Sequence, residues 1–438
     1  MDVVLASSSV DDGIGCWDLH TGAEQLRYNS CSSPFHGLVS LGSRFLASSQ
    51  LHHPSSASLF FWSFSKPQVE VKSFPAEAIK PLAANHQGTY LVGGALSGDI
   101  YLWEVETGRL LKKWHAHLRA VTCLVFSDDD SLLISGSEDG YVRVWSLFSL
   151  FDDLRSREEK NLYEYSFSEH TMRVTDVVIG NGGCNAIIVS ASDDRTCKVW
   201  SLSRGTLLRS IVFPSVINAI VLDPAEHVFY AGSSDGKIFI AALNTERITT
   251  IDNYGMHIIG SFSNHSKAVT CLAYSKGRNL LISGSEDGIV RVWNAKTHNI
   301  VRMFKHAKGP ITNIIVVRQE IDPSNHTSSN LQAATKKHGS YLLPPLEKYA
   351  NSTDSDLKTA INLGGIRGCM DVSYNSSNLI SNHIKELQQQ GSATASEIEM
   401  EKLKHEYQRT MEMANQWKKM YENLHEFGIK ELLDGGQT

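Results

Sequence analysis

The chain has 438 residues, with 42% hydrophobic and 20% charged residues, a globular rather than a disordered composition and enough length for more than one ordinary domain. Lys plus Arg number 41 against 47 Asp plus Glu, a formal charge of −6, which argues against a protein that coats nucleic acid by bulk charge and leaves room only for a local basic patch. No run approaches the roughly 18–20 apolar residues of a membrane-spanning helix, the opening residues lack the basic region of a signal peptide, and the seven cysteines are sparse and odd in number; no membrane association and a reducing compartment are expected.

In chain order, an apolar strand (Val3-Val4-Leu5-Ala6) is followed by a segment closing on Trp17 (Cys16-Trp17-Asp18-Leu19), and similar segments close on Trp62 and Trp103. Residues 120–147 then show a full unit. An alternating strand (Val121 to Val125) precedes a second (Leu132 to Ser135), an acidic-Gly turn (Glu138-Asp139-Gly140) and a third strand ending at Trp145. Asp-Gly between alternating strands is a strong hairpin signal, because Gly accepts positive φ without steric cost, and period 2 throughout means sheet. A charged insertion over 151–160 follows, read either as a binding loop or as a solvated, tolerated one. The next units close on Trp200 and on Ala241, where the Trp is lost, and a second insertion spans 251–256. Residues 268–295 repeat 120–147 at 19 of 28 positions and close on Trp293.

The markers 17, 62, 103, 145, 200, 241 and 293 are spaced 45, 41, 42, 55, 41 and 52 residues apart. Periods of about 40–45 with a Trp closing each unit are the mark of WD40 propeller blades. The expected fold is therefore all-β, a seven-bladed WD40 β-propeller over residues 1–318, with a C-terminal linker and a coiled-coil-like α-helix. The first unit lacks an innermost strand, and residues 311–317 have that strand's pattern, so they are expected to complete it and close the ring.

Residues 319–396 are rich in Ser, Asn, Thr and Gly and read as a largely flexible linker, with one apolar piece, Tyr341 to Leu346, able to dock on another surface. Over 397–433 a helix is expected. Met400, Leu403, Tyr407, Trp417, Tyr421 and Leu424 fall on a stripe three and four apart, suited to a partner helix or a second copy, or to folding back on the propeller.

The resemblance to the WD40 family is carried residue by residue. In that family a His, a Ser or Thr, an Asp and the Trp form a hydrogen-bonded structural tetrad within a blade. The matching sets here are His117, Ser135, Asp139 and Trp145; His170, Ser190, Asp194 and Trp200; and His265, Ser283, Asp287 and Trp293. Repetition at blade spacing makes these His and Asp residues structural rather than catalytic. There is no Walker A sequence, no zinc-type CxxC pair and no nucleophile elbow, so no enzyme, metal or cofactor is expected. Close behind the tetrad histidines, and behind His306 at the matching place before the closing strand, stand Arg119, Arg173, Lys267 and Lys308. They form a candidate rim for an acidic protein segment or an RNA phosphate, or ordinary surface charge.

Three further stretches narrow the resemblance: Cys16 to Ala23, Leu102 to Gly108, and Leu222 to His227 in the Trp-less unit, together with Gly309-Pro310-Ile311-Thr312-Asn313. With the linker and terminal helix, the chain resembles the WD-repeat subunits of the pre-60S ribosome maturation complex. That resemblance implies a non-enzymatic scaffold in the nucleus, nucleolus and nucleoplasm that assists processing of the second internal transcribed spacer. Its implied partners are a HEAT-like protein, a second helical-repeat protein, the AAA ATPase midasin and the pre-60S particle, with rRNA met indirectly, and a homodimer through the terminal helix. The alternative is a substrate receptor of a cullin-type ubiquitin ligase. Such receptors often carry Trp-Asp-x-Arg at a blade's end, and neither Trp17-Asp18-Leu19-His20 nor Trp293-Asn294-Ala295-Lys296 supplies the Arg.

Overall fold

The alternating segments fold as seven four-stranded antiparallel sheets among the described residues of the computed structural model, which are 2–10, 13–50, 58–151, 163–243, 257–275, 277–306, 309–318 and 343–349. Each sheet is one blade, and its first strand is the innermost. Blade 4 is typical, with strands Val121–Phe126, Leu132–Ser137, Val142–Ser146 and Tyr165–Phe167. Residues 350–438, which include the stripe from Met400 to Leu424, lie outside the described residues, as do residues 319–342.

Blade 1 is assembled from both ends of the ring. Its innermost strand is Ile311–Arg318, paired antiparallel with Asp2–Ser8 from Val3↔Val317 to Ser7↔Asn313. Asn313 ties the junction through Nδ2, which donates to Ser7 Oγ (3.0 Å), Ser33 Oγ (3.1 Å) and the Pro34 carbonyl (2.7 Å). Closing the sheet sequence on itself leaves no open end to the ring.

The apolar face of each blade packs on its neighbour. Val4, Ala6, Trp17 and Ile311 of blade 1 share a cluster with Ile282, Val290 and Val292 of blade 7. Aromatic rings mark these seams. Trp17 stacks on Phe304 (centroids 5.5 Å apart), Trp200 on Phe167 (4.4 Å) and Trp293 on Phe262 (5.1 Å), while Trp145 meets Trp114 edge-on (5.8 Å). In each case the marker Trp of one blade lies against the outer strand of the blade before it, worth about 0.5–1.5 kcal/mol beyond the area buried.

In six blades the pairing of the third and outer strands shifts register at the marker residue, as at Val292/Trp293. The same shift occurs at Ile240/Ala241, so the bulge does not depend on the indole. Blade 6 replaces the missing ring volume with Phe229 and Phe239, packed beside Phe213 from the preceding blade. One element was absent from the sequence expectation: a single-turn helix, Leu147–Phe151, which buries Leu147 and Leu150 at the start of the charged insertion. The remainder of that insertion, 152–160, lies outside the described residues, as does 251–256.

Candidate functional site

In three blades the four tetrad residues form a continuous hydrogen-bonded chain. In blade 4, Trp145 Nε1 donates to Ser135 Oγ (2.8 Å), Ser135 Oγ meets His117 Nε2 (2.7 Å), and His117 Nδ1 faces Asp139 Oδ2 (3.2 Å). The matching distances are 2.9, 2.8 and 2.9 Å in blade 5 and 2.8, 2.7 and 3.3 Å in blade 7. Indole is only a donor and a hydroxyl has one proton. Ser135 must therefore accept from Trp145 and donate to His117, which leaves Nδ1–H for the carboxylate.

Electrostatics agree with that proton order. Burial pushes His117 and His170 below the ordinary imidazole range, even against their carboxylates. Burial and the nearby Arg291 guanidinium push His265 down to about 4. Burial alone would raise Asp139, but the His117 hydrogen bond and backbone N–H groups outweigh it, and its pKa falls to about 2. A neutral imidazole clamped between a buried serine and a carboxylate orients a Trp and a turn. The serines of all three tetrads are completely buried.

The other blades depart from this pattern at identifiable positions. In blade 1, His306 Nε2 lies 2.8 Å from the Ala6 carbonyl and 3.4 Å from the Gly15 amide. In blade 3, Gly93 stands ten residues before Trp103, where the tetrad serine stands elsewhere.

The tetrad His loops and Asp turns lie at the same end of the blades, because the inner strand starts there, the second strand ends there and the third starts there. This entry face carries Arg119, Arg173 and Lys267, all exposed, and Arg173 pairs with Asp193 at 2.9 Å. Lys308 lies outside the described residues. The same face also exposes apolar side chains that charge counting misses. Val10, Phe35, Phe74, Leu96, Leu118 and Met172 sit in loops or turns of blades 1 to 5, and Leu118 is 77% exposed. The only sequence signal was their place beside tetrad and turn residues, where a solvated loop would carry polar ones. Apolar residues scattered singly are normal on a surface, so what distinguishes these six is their common placement at one end of the blades.

The central channel is bridged at this end. His36, in the loop entering blade 2 and with φ 56, reaches blade 5 on the opposite side. Its Nε2 lies 3.2 Å from the Thr175 carbonyl and 3.8 Å from Asp176 Oδ1. Asp176 also accepts the amides of Val177 and Ile220 and is raised by burial. Among the described residues no group of His, Cys, Asp and Glu is arranged to hold a metal ion.

A closed ring of seven sheets with these tetrads defines a WD40 propeller protein. The family model described as WD domain, G-beta repeat, matches residues 108–146, 162–201 and 256–294. The chain is 55% identical to Protein ROOT INITIATION DEFECTIVE 3 of Arabidopsis thaliana over 442 residues, covering 99% of each. It is 30% identical to WD repeat-containing protein 18 of Danio rerio, covering 81% of this chain and 80% of the relative. It is 27% identical to Pre-rRNA-processing protein crb3/ipi3 of Schizosaccharomyces pombe, covering 71% of this chain and 77% of the relative. The chain belongs to the WD-repeat family that contains ROOT INITIATION DEFECTIVE 3 and WD repeat-containing protein 18.

Proposed function

We propose that this protein is a non-enzymatic scaffold subunit of a nuclear complex that matures the large ribosomal subunit and processes the second internal transcribed spacer of pre-rRNA. The observation that carries the reading is the end-to-end family match together with a relative named for pre-rRNA processing that spans 71% of the chain. The geometry supports it, because the tetrad histidines and acids are committed to holding blades while the entry face offers apolar side chains mixed with cations. That mixture suits an acidic and apolar protein segment better than a phosphate backbone, which calls for an array of unpaired cations.

In this reading the propeller engages a HEAT-like subunit, a second helical-repeat subunit, the ATPase midasin and the pre-60S particle, and the protein resides in nucleolus and nucleoplasm. Two copies join through the stripe Met400, Leu403, Tyr407, Trp417, Tyr421 and Leu424. Affinity purification of the tagged full chain from nuclei, followed by mass spectrometry, tests the assignment. Large-subunit assembly factors are the expected recovery, and cullin-ligase adaptors in their place would overturn it. The dimer is tested by comparing the mass of the full chain with that of a chain ending at Gly391; identical monomer masses would refute it.

A further inference from the structure

One seam of the ring is built differently from the other six. At the outer-strand position that pairs three residues before each marker, the ring carries Tyr28, Trp114, Phe167, Ile211, Phe262 and Phe304. All six are large and apolar. Blade 2 alone carries a small polar residue there, Ser73, opposite Leu59. The next blade has a second substitution, Gly93 in place of the tetrad serine. A Cβ on Gly93 would lie 3.1 Å from Cζ3 of Trp103, so the indole presents its carbon edge to Gly93 and turns its N–H the other way.

Residues 343–349 occupy this altered seam. Leu346 is buried in the shared core of blades 2 and 3 among Leu59, Phe61, Trp103 and Leu110, with Leu343 packed beside it. The Leu346 amide donates to Ser73 Oγ (2.9 Å), and Trp103 Nε1 donates to the Glu347 carbonyl (3.0 Å). The Glu347 amide donates to the Gly108 carbonyl (2.8 Å), and the Glu347 carboxylate accepts the Leu110 amide (3.4 Å). Gly108 has φ +72, and a Cβ there would meet the Pro345 carbonyl at 2.7 Å, so the turn must be glycine for the segment to lie against it. Pro344 and Pro345 have no N–H to satisfy and favour extended backbone, which lowers the entropy cost of docking.

We infer that the seam between blades 2 and 3 is a peptide-recognition slot that reads Leu-Pro-Pro-Leu-Glu and is filled by the chain's own residues 343–347. Both deviations that create the slot, Ser73 and Gly93, are matched to this occupant: the serine accepts from its Leu346 amide and the turned indole donates to its Glu347 carbonyl. Reach permits occupancy within one chain. The inner strand of blade 1 ends at Arg318 on the face opposite the tetrad turns, where the Gly108 turn also lies. The 24 residues from 319 to 342 can extend up to about 80 Å, far more than two blades of a ring require.

The test uses the full chain and a fluorescent peptide of residues 340–351. Leu346→Asp removes the anchor and empties the slot, and that variant is expected to bind the peptide at least tenfold more tightly than the unaltered chain, whose slot is filled. Adding Ser73→Phe, which restores the residue type of the other seams, is expected to abolish that binding. A peptide with Asp at the Leu346 position is expected not to bind. Equal binding by the Leu346→Asp and unaltered chains, or no binding to either, would overturn the inference. Hydrogen exchange on the unaltered chain gives an answer that does not rely on a variant folding. Slow exchange at the Leu346 and Glu347 amides, independent of protein concentration, is expected; unprotected amides, or protection that appears only at high concentration, would refute occupancy by the same chain.

Discussion

Ser135→Ala is the sharpest test of what holds the blades. Ser135 is completely buried and links Trp145 Nε1 to His117 Nε2, at 2.8 and 2.7 Å. Alanine keeps the strand and removes one oxygen, which leaves a buried donor and a buried acceptor without partners. Each orphaned group costs about 1–3 kcal/mol, so the variant is expected to lose about 2–6 kcal/mol, a large part of a total stability of about 5–15 kcal/mol. Urea unfolding followed by circular dichroism reads this as a lower midpoint at unchanged slope. Repeating Ser135→Ala in a Trp145→Phe background removes the indole donor first, and the serine's cost should then fall by about 1 kcal/mol or more. Ser190→Ala and Ser283→Ala should behave alike, because their distances match. Gly93→Ser offers the converse: its Cβ would press Ile79 at 2.7 Å, so adding the missing serine to blade 3 should destabilise rather than repair it. A loss below about 0.5 kcal/mol in all three serine variants would show that the tetrads are incidental to stability.

Three other outcomes are expected. Stability should fall as the medium is acidified from pH 6.5 toward 4, because His265 is held down to about 4 in the fold and the unfolded chain binds the proton first; this one group accounts for at most about 3 kcal/mol, Asp139 adds a further loss below pH 3.8, and a melting temperature that rises on acidification would contradict the sign. Gly140→Ala should cost about 1–2 kcal/mol in the urea midpoint, since φ is +82 and the new Cβ would lie 2.9 Å from the His170 carbonyl. Leu118→Ser combined with Met172→Ser should leave the midpoint within about 0.5 kcal/mol of the original while reducing partner recovery in affinity purification; undiminished recovery would remove the entry face from the interaction.

The repeat was legible because each blade needs the same physical solution at the same place. A positive-φ turn selects Asp-Gly, and a buried ring at the seam selects Trp, so Gly140 and Trp145 reappear as Gly288 and Trp293. The tetrad partners could be read by spacing for the same reason. What escaped the sequence reading depends on neighbours in space. Phe229 and Phe239 fill the place of the missing indole beside Phe213, from the blade before, and no local pattern announces that exchange. Leu118 and Met172 follow tetrad residues, yet only the ring's geometry gathers them with Phe35 and Phe74 on one face. The apolar piece around Leu346 was visible as something that docks, but its seat is defined by Ser73 and Gly93, and each of those residues is unremarkable until the other six seams are laid beside them.

The way the first blade is made has a consequence for synthesis. Its outer three strands end at Tyr28, but the strand that completes their sheet ends only at Arg318. At translation rates of about 5–20 residues per second, the amino-terminal strands wait about 15–60 s with an open edge. During that interval Val4 and Leu5, fully buried in the finished ring, have no innermost strand to cover them. The nascent chain is thus most exposed to mispairing while the middle blades are being made, and the ring closes only once Arg318 has appeared.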